Sequence, residues 1–288
     1  MPFDISPLTT NDNHQSLKNS VVRALPTIIV PFKQIVDIKE IKVDPNTQTP
    51  ITVGIPRKIS DVDKNALEEA IKIKEKHGGK VIAITMGPSE AKTALRETLA
   101  MGVDEAYLLS DPIFENSDTL ATARVLAKAI EKLGEYDLII CGEMTLDGLS
   151  AQVGPRLAEL LDIPQITYVR KVTIEGNKII AEKDLEEEYE TVEAEMPVLL
   201  TVTREINEPR IPSLRDIMKA SRKPINTWTA SDLGISKEDV GTEGSAVQIL
   251  KVTVPKVERK GIIVKAETIE EAAEELVKTI LKEGVLRG

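Results

Sequence analysis

The segment Cys141–Pro155 carries the strongest local signal for chemistry in the sequence. Its residues indicate the end of an apolar strand, a loop that contains Gly148, and a helix that begins at Ser150. A helix start offers unpaired N–H groups and a positive dipole end, and glycine lets the backbone approach a ligand closely. The Ser150 hydroxyl and the three amides after it would suit a nucleotide pyrophosphate. An ordinary strand–turn–helix connection with a serine cap explains the same residues, and the loop taken alone favours that simpler interpretation.

Two other predicted strand ends carry weaker signals. The loop Thr85–Ser89 has the same form, although a turn with an N-cap explains it better, and Val30–Asp37 is a third strand end. In the second of these, Lys33 could approach a phosphate or could simply be solvated at the strand end. Neither segment matches the G-x-G-x-x-G or G-x-x-x-x-G-K-[ST] phosphate fingerprints. A dehydrogenase or an NTPase would therefore lack its usual phosphate-binding loop.

No set of residues suited to nucleophilic or acid–base catalysis is apparent. Cys141 is the only cysteine and lies in an apolar strand, where a buried structural thiol is expected, and the only histidines are His14 and His77. This composition excludes an intrachain disulfide, a cysteine-ligated iron–sulfur cluster and a Cys/His zinc site within the chain. A nucleotide-binding protein without catalytic side chains is typical of a cofactor carrier, in which the cofactor supplies the chemistry.

Charge and hydropathy exclude further classes of protein. The formal net charge is −10, which disfavours nucleic-acid binding because phosphate backbones need clustered positive charge. No apolar run approaches the ~20 residues of a membrane span, and the first residues lack the pattern of a secretion signal. With a single cysteine, these features predict a cytoplasmic protein without direct membrane insertion.

The arrangement of elements predicts an α/β fold, namely an open, mostly parallel sheet with helices on both faces. Short β-branched runs alternate with amphipathic stretches from Thr27 to Leu161. Within this part we expect Ser117 to cap a helix over Asp118–Leu133, and a further helix over Ala151–Leu161. After Ile163, consecutive strands with a Gly176-Asn177 turn predict additional antiparallel strands.

The predicted domain organisation has three parts. Residues 1–25 are polar and predict a flexible N-terminal tail, and residues 26–222 form the α/β domain. Residues 223–288 are predicted as a C-terminal arm that is extended over 223–265 and closes with a helix over Glu267–Glu283. The apolar face of that helix must be covered either by a partner chain or by the protein's own core, and the sequence gives these two options equal weight.

A second loop, Thr203–Pro212, has the composition of an interaction site. It follows a strand, contains two prolines and carries mixed charge around Ile206. A central isoleucine in an exposed loop suggests an anchor for a partner protein, although a plain connecting loop explains the same residues.

Motifs spread over the chain after the tail together resemble the β subunit of electron transfer flavoprotein, FixA proteins included. The motifs are Lys33-Gln-Ile35, Ala66-Leu-Glu-Glu-Ala-Ile71, Thr85-Met-Gly-Pro88, Ala100-Met-Gly-Val-Asp104, Ala181-Glu-Lys-Asp-Leu-Glu-Glu-Glu-Tyr-Glu-Thr-Val192, Pro197-Val-Leu-Leu-Thr201, Asn207-Glu-Pro-Arg210 and Ile217-Met-Lys-Ala220.

The resemblance implies a heterodimer with an α subunit that carries a flavin and is wrapped by the C-terminal arm. It implies that this chain holds one adenine nucleotide, either a structural AMP or a second FAD. The implied nucleotide-binding residues are Pro31, Phe32, Lys33, Val62, Met86, Gly87, Cys141, Gly142, Asp147, Gly148, Ser150, Ala151, Gln152 and Val153. The implied recognition loop for flavin dehydrogenases comprises Arg204, Ile206, Asn207, Glu208, Pro209 and Arg210.

The loop sequence favours FAD over AMP. Asp147-Gly148 followed by Ala151-Gln-Val-Gly-Pro155 resembles the electron-bifurcating members, as does Gly241-Thr-Glu-Gly-Ser245. Leu149, Glu143-Met144 and Ser60-Asp61 depart from the usual pattern. Lys33 and Arg204 are candidates to donate hydrogen bonds to the flavin.

The resemblance therefore implies electron transfer between NADH or flavin dehydrogenases and a quinone- or ferredoxin-linked acceptor, by flavin-based bifurcation. A quinone-reducing partner would bring the protein to a membrane. A plain electron carrier with structural AMP is the alternative, and a nucleotide-binding regulator without a redox role is a more remote one. Whether the chain takes part in an enzyme is left open.

Overall fold

The computed structural model describes residues 26–255 and 261–284. Contacts between Cα atoms divide them into two units, of which the first contains the described residues up to Ile41 together with Thr52–Leu250. The second contains Lys42–Ile51 and the described residues from Lys251 onward. The predicted tail, 1–25, lies outside the described residues.

Thirteen strands and eight α-helices are present in the described residues. The strands are β1 (Thr27–Pro31), β2 (Gln34–Val36), β3 (Lys42–Val43), β4 (Pro50–Ile51), β5 (Arg57–Ile59), β6 (Lys80–Met86), β7 (Glu105–Leu109), β8 (Leu138–Gly142), β9 (Gln165–Glu175), β10 (Lys178–Asp184), β11 (Tyr189–Glu195), β12 (Val198–Val202) and β13 (Asn226–Trp228). The helices are α1 (Asp61–His77), α2 (Lys92–Met101), α3 (Thr119–Leu133), α4 (Val153–Leu160), α5 (Leu214–Ala220), α6 (Ala230–Leu233), α7 (Gly241–Gly244) and α8 (Ile269–Lys282).

Nine strands form one sheet in the order β11-β10-β9-β12-β8-β1-β6-β7-β13. Every pair of neighbours from β9 through β12, β8, β1, β6 and β7 to β13 is parallel. The pairs β9–β10 and β10–β11 are antiparallel. The parallel part is central and the antiparallel part lies at one side. This confirms the predicted fold class, a mostly parallel α/β sheet with added antiparallel strands.

Helices cover both faces of the sheet. Side chains on a strand alternate between the two faces, so neighbouring residues of one strand belong to different clusters. On β1, Ile28 and Val30 belong to one buried cluster with side chains of α1 and α2. Between them, Ile29 belongs to a second cluster with side chains of α3 and α4. The strand is therefore apolar throughout, as expected of a strand with both faces covered.

Two helix starts differ from the sequence prediction. The N-cap of α3 is Asp118, whose side chain accepts hydrogen bonds from the backbone N–H groups of Leu120 and Ala121, so the cap is not Ser117. Helix α4 begins at Val153 rather than Ala151. Its earlier start is prevented because Ala151 has a φ of 51°, a left-handed conformation that a right-handed helix cannot contain.

The segment predicted as extended from residue 223 contains packed elements instead. Strand β13 pairs with β7 at the sheet edge, and the ring of Trp228 lies 4.6 Å from that of Tyr107. Helix α6 then buries Ala230 and Leu233. Three residues are too few to show strand periodicity, and the pairing comes from the tertiary context rather than from local preference.

The second unit contains the short hairpin of β3 and β4. Val254 N–H donates a hydrogen bond of 2.8 Å to the Gln48 carbonyl between these two strands. Helix α8 lies within the predicted Glu267–Glu283 and buries none of its residues. Its apolar face is exposed at Ile269, Leu276, Val277 and Leu281. Among the described residues, no helix has the length and apolar character needed to cross a membrane.

Gly154 sets how closely α4 packs on the sheet. A Cβ at this position would lie 2.7 Å from Thr201 Cγ2 and 3.1 Å from Cys141 Sγ, and both neighbours are buried. We expect Gly154→Ala to lower the free energy of unfolding by about 1–3 kcal/mol through overpacking. Urea unfolding followed by the fluorescence of Trp228, the only tryptophan, measures this loss.

Gly148→Ala is the matched control, because its Cβ would meet nothing closer than Thr145 Oγ1 at 3.5 Å. Its unfolding midpoint should stay at the wild-type value. Equal midpoints for both variants would contradict the close packing of α4.

Candidate functional site

The strand ends that the sequence singled out lie side by side in the structure. Strands β1, β6 and β8 are parallel neighbours, so Pro31, Met86 and Gly142 end at the same edge of the sheet. Phe32 and Cys141 are buried there and can offer a ligand only their backbone groups, whereas Lys33 is exposed. The carboxyl edge of a parallel sheet is where open α/β proteins bind their ligands.

An ion pair joins two of the loops at this edge. Lys33 Nζ lies 2.7 Å from Asp147 Oδ2, and the two side chains are 52% and 28% exposed. Exposed pairs of this kind contribute little to stability, because water solvates both charges well. Lys33 is therefore available to exchange Asp147 for another anion, such as a phosphate.

Asp63, which the sequence analysis did not select, connects the loops from beneath. Its carboxylate is 3% exposed and accepts hydrogen bonds from Lys33 N–H at 2.8 Å and Gly142 N–H at 3.0 Å. Burial raises the pKa of Asp63 to about 7, against the opposing effect of the two amides and of the Lys33 charge; the Asp147 charge adds to the rise. An aspartate in the first turn of a helix is common at any helix start, so its type and position gave no signal.

Gly142 is the residue that allows this approach. A Cβ there would lie 2.6 Å from Asp63 Oδ1 and 3.1 Å from the carbonyl carbon of Val62. The predicted residues Val62 and Gly142 therefore belong to one close contact between α1 and β8. The neighbouring Cys141 is a buried free thiol as expected, and burial, with the Asp63 charge, raises its pKa far above the ordinary value.

The loop between β8 and α4 presents backbone N–H groups outside regular structure. The Thr145 carbonyl accepts hydrogen bonds from Gly148 and Leu149, and Leu149 and Ala151 both have left-handed φ angles, 48° and 51°. Within the described part of the chain, the amides of residues 150–153 have no acceptor. Left-handed conformations in non-glycine residues cost free energy and concentrate at functional sites.

Ser150 does not cap helix α4, contrary to the sequence interpretation. The N-cap is Gln152, which makes no side-chain capping bond. Its Oε1 atom accepts a hydrogen bond of 2.8 Å from Thr119 Oγ1 at the start of α3 instead. Thr119 is a second residue that sequence reasoning missed, since it lies 33 positions away from Gln152 and only the fold brings the two together.

The other predicted loop, with Met86 and Gly87, joins β6 to the next helix. Gly87 N–H donates a hydrogen bond to the Leu109 carbonyl.

The second predicted site, the loop from Arg204 to Arg210, is held on helix α1 by polar contacts. Asn65 Nδ2 donates to the carbonyls of Asn207 and Arg204 at 2.7 and 3.2 Å. Asn207 Nδ2 donates in return to the Asn65 carbonyl and to Glu69 Oε2, both at 3.0 Å. Burial raises the pKa of Glu69, which the bond from Asn207 opposes.

Arg210 closes the loop with two carboxylates. Its Nε atom lies 2.8 Å from the buried Glu68, and its Nη1 atom lies 2.6 Å from the exposed Glu75. These bonds raise the pKa of Arg210 and lower that of Glu75. Planar, paired contacts of arginine with carboxylates are among the strongest side-chain hydrogen bonds. Hydrogen bonds and ion pairs therefore hold the predicted recognition loop against α1.

Ile206 is less exposed than the sequence suggested. It is half-buried and packs against the core cluster beside α1, because the contacts of its neighbour Asn207 hold the loop down on the helix. The exposed apolar side chains come just after the loop, on and before α5. They are Ile211, Leu214, Ile217 and Met218, at 93%, 74%, 51% and 58% exposure.

The charge of Asp63 gives the site a pH dependence. Since its folded pKa of about 7 lies above the ordinary 3.8, the folded protein keeps a proton that the unfolded chain releases between these values. The free energy of unfolding therefore falls as the pH rises from 3.8 toward 7, because the unfolded state binds fewer protons than the folded state. We expect Asp63→Asn to gain stability relative to the wild type between pH 5 and 7, by up to about 1.4 kcal/mol per pH unit.

Urea unfolding at a series of pH values measures this difference. Contributions from other titrating groups cancel between the two proteins. A difference that is flat with pH would contradict the raised pKa.

Comparison with known proteins shows the family to which the chain belongs. The family model described as "Electron transfer flavoprotein domain" matches residues 49–233. An electron transfer flavoprotein subunit beta from Thermoanaerobacterium thermosaccharolyticum is 51% identical over 88% of this chain and 97% of its own length. The caffeyl-CoA reductase–Etf complex subunit CarD from Acetobacterium woodii is 41% identical over 90% and 99%. Protein FixA from Sinorhizobium fredii is 38% identical over 88% and 92%.

Residues 49–233 include the ends of β6 and β8 and the recognition loop, whereas the end of β1 with Lys33 lies before them. In the described residues, no three His, Cys, Asp or Glu side chains are grouped so as to hold a metal ion. The chain belongs to the electron transfer flavoprotein β-subunit family, and electron transfer is the role that this membership supports.

Proposed function

We propose that this chain is the β subunit of a heterodimeric electron transfer flavoprotein and binds FAD at the edge formed by β1, β6 and β8. The observation that carries the proposal is the loop of residues 150–153, whose amides have no acceptor within the described residues, beside Lys33. Free N–H groups, a helix start and a lysine form the donor set that a pyrophosphate requires.

The residues at the edge fit such a nucleotide. Lys33 and the amides of Ser150, Ala151, Gln152 and Val153 would hold the phosphates, and Gly148 leaves room for the backbone to approach them. Asp63 would keep Lys33 and Gly142 in place by the hydrogen bonds to their amides. A flavin held by these residues would supply hydride and one-electron redox chemistry, which the side chains at this edge do not provide themselves.

The sequence of the loop and the relatives favour FAD over AMP. Asp147-Gly148 and Ala151–Pro155 follow the pattern of bifurcating members, as does Gly241–Ser245. One relative is a subunit of a caffeyl-CoA reductase–Etf complex, and several are FixA proteins. On this basis we infer that electrons from NADH or flavin dehydrogenases are split between a quinone-linked and a ferredoxin-linked path.

A plain electron carrier is the second candidate. In that case AMP would fill the same site and only the α subunit would carry a flavin. The donor set supports either ligand, since both present phosphate to the loop. A nucleotide-binding regulator without a redox role is disfavoured by membership of the family.

The remaining surfaces fit subunit and partner binding. The exposed apolar faces of α8 and of residues 247–250 suit the α subunit. The loop from Arg204 to Arg210, with the apolar side chains of α5, suits flavin dehydrogenases or a quinone oxidoreductase. We place the complex in the cytoplasm, with any membrane contact made by its quinone-reducing partner, because the family resemblance implies this arrangement.

Gly148 tests the nucleotide site. Because Gly148→Ala meets no close contact, the fold tolerates a side chain at this position. We expect Gly148→Leu to lower nucleotide occupancy of this chain at least tenfold in the purified αβ complex, by filling the space the ligand needs. Occupancy is measured by chromatography of the nucleotide released on denaturation.

Gly148→Ala should keep most of the nucleotide, and circular dichroism should show both variants folded. Full occupancy in Gly148→Leu would refute the assignment of the site.

Leu214 tests the docking surface. Its side chain is 74% exposed, so its removal costs the fold little, whereas Ile206 packs against the core. We expect Leu214→Ala to raise the KM for an electron-donating flavin dehydrogenase about tenfold, the effect of ~1.4 kcal/mol of lost apolar contact, with kcat unchanged. Steady-state reduction by the dehydrogenase measures it.

Val53→Ala, at a 91% exposed side chain, is the control and should leave KM unchanged. Equal KM values for the two variants would exclude α5 from the docking surface.

A further inference from the structure

One carboxylate joins the start of α3 to the chain just before the exposed segment 247–250. Asp118 Oδ1 caps α3 by accepting from Leu120 N–H and Ala121 N–H, both at 2.9 Å. Asp118 Oδ2 accepts from Ala246 N–H at 3.0 Å and Val247 N–H at 3.2 Å. Helix capping alone would need only the first pair of bonds.

The contact is reciprocal. Asp118 N–H donates to Ser245 Oγ at 2.8 Å, and Gly241 N–H donates to the hydroxyl of Ser117 at 2.9 Å. Arg124, one turn further along α3, donates to the Gly244 carbonyl at 3.3 Å. We call this set the arm junction, namely Ser117, Asp118 and Arg124 with residues 241–247. Its hydrogen bonds hold five of the seven residues 241–247, all except Thr242 and Glu243.

Exposed apolar side chains begin at Val247, the last residue of the arm junction. Val247, Ile249 and Leu250 are 66%, 82% and 94% exposed. Three exposed apolar residues within four positions are costly to leave in water and are typical of a surface that a partner covers. The arm junction thus fixes the position at which segment 247–250 begins, although the side chains of that segment are not buried themselves.

We propose that Asp118 is a positioning residue for subunit assembly, because it fixes the origin of segment 247–250 before the α subunit binds. The inference rests on the proposed function, in which the α subunit covers this segment. A preorganised origin reduces the conformational entropy lost on association, and so tightens binding without touching the partner. Asp118 has this role besides capping α3, because its Oδ1 atom accepts from the start of α3 and its Oδ2 atom accepts from residues 246 and 247.

Two variants each remove hydrogen bonds of the arm junction, one at the start of α3 and one in residues 241–247. Asp118→Asn turns one acceptor into an amide donor that faces N–H groups, and Ser245→Ala removes the hydroxyl without altering the cap of α3. We expect each to raise the dissociation constant of the αβ complex about tenfold or more. Exchange of labelled wild-type β subunit into the complex measures the constant, and thermal unfolding of each β variant reports folding.

Two controls separate this effect from general damage. Asp232→Asn alters a carboxylate of the same kind, which accepts from Thr229 N–H at 2.8 Å in the cap of α6. Ser221→Ala removes only a hydroxyl that donates to the Met218 carbonyl. Both controls should leave the dissociation constant within twofold of the wild type.

Assembly of Asp118→Asn and Ser245→Ala as tight as that of the wild type would overturn the proposal, as would an equal loss in Asp232→Asn. Failure of the wild-type chain to bind an α subunit at all would instead refute the proposed function. Weakened assembly in both junction variants, with intact controls, supports the positioning role.

Discussion

A buried carboxylate organises the edge of the sheet on which the proposed function depends. Asp63 bonds at once to the amides after β1 and at the end of β8, and Gly142 is the residue that permits its approach. Burying an ionisable group costs free energy unless hydrogen bonds compensate it. The cost is tolerated here because the same bonds fix the two loops that would meet a nucleotide.

Helix α1 serves both candidate sites. Its first turn supplies Asp63 to the nucleotide edge, and its next turns supply Asn65 and Glu68 to the recognition loop. Since a helix is rigid over such a distance, the two sites keep a fixed separation. In the proposed function, helix α1 would therefore fix the distance between the bound cofactor and a protein docked at the loop.

Much of this arrangement was predictable from the sequence. Hydrophobic periodicity predicted the α/β class, and the strand ends that the sequence singled out lie side by side at Pro31, Met86 and Gly142. The start of α4, the edge strand β13 and the half-burial of Ile206 were not predictable. They depend on left-handed residues, on pairing with β7 and on the bonds of Asn207, which local preference does not encode. Asp63 and Thr119 were missed because long-range packing alone gives them partners.

The central claim is that the edge beside Lys33 holds FAD. The most direct measurement is a count of FAD and AMP released from the purified, co-expressed αβ complex, relative to the number of heterodimers. The account predicts two FAD molecules and no AMP for each heterodimer. One FAD and one AMP would contradict it and would assign the chain to a plain electron carrier.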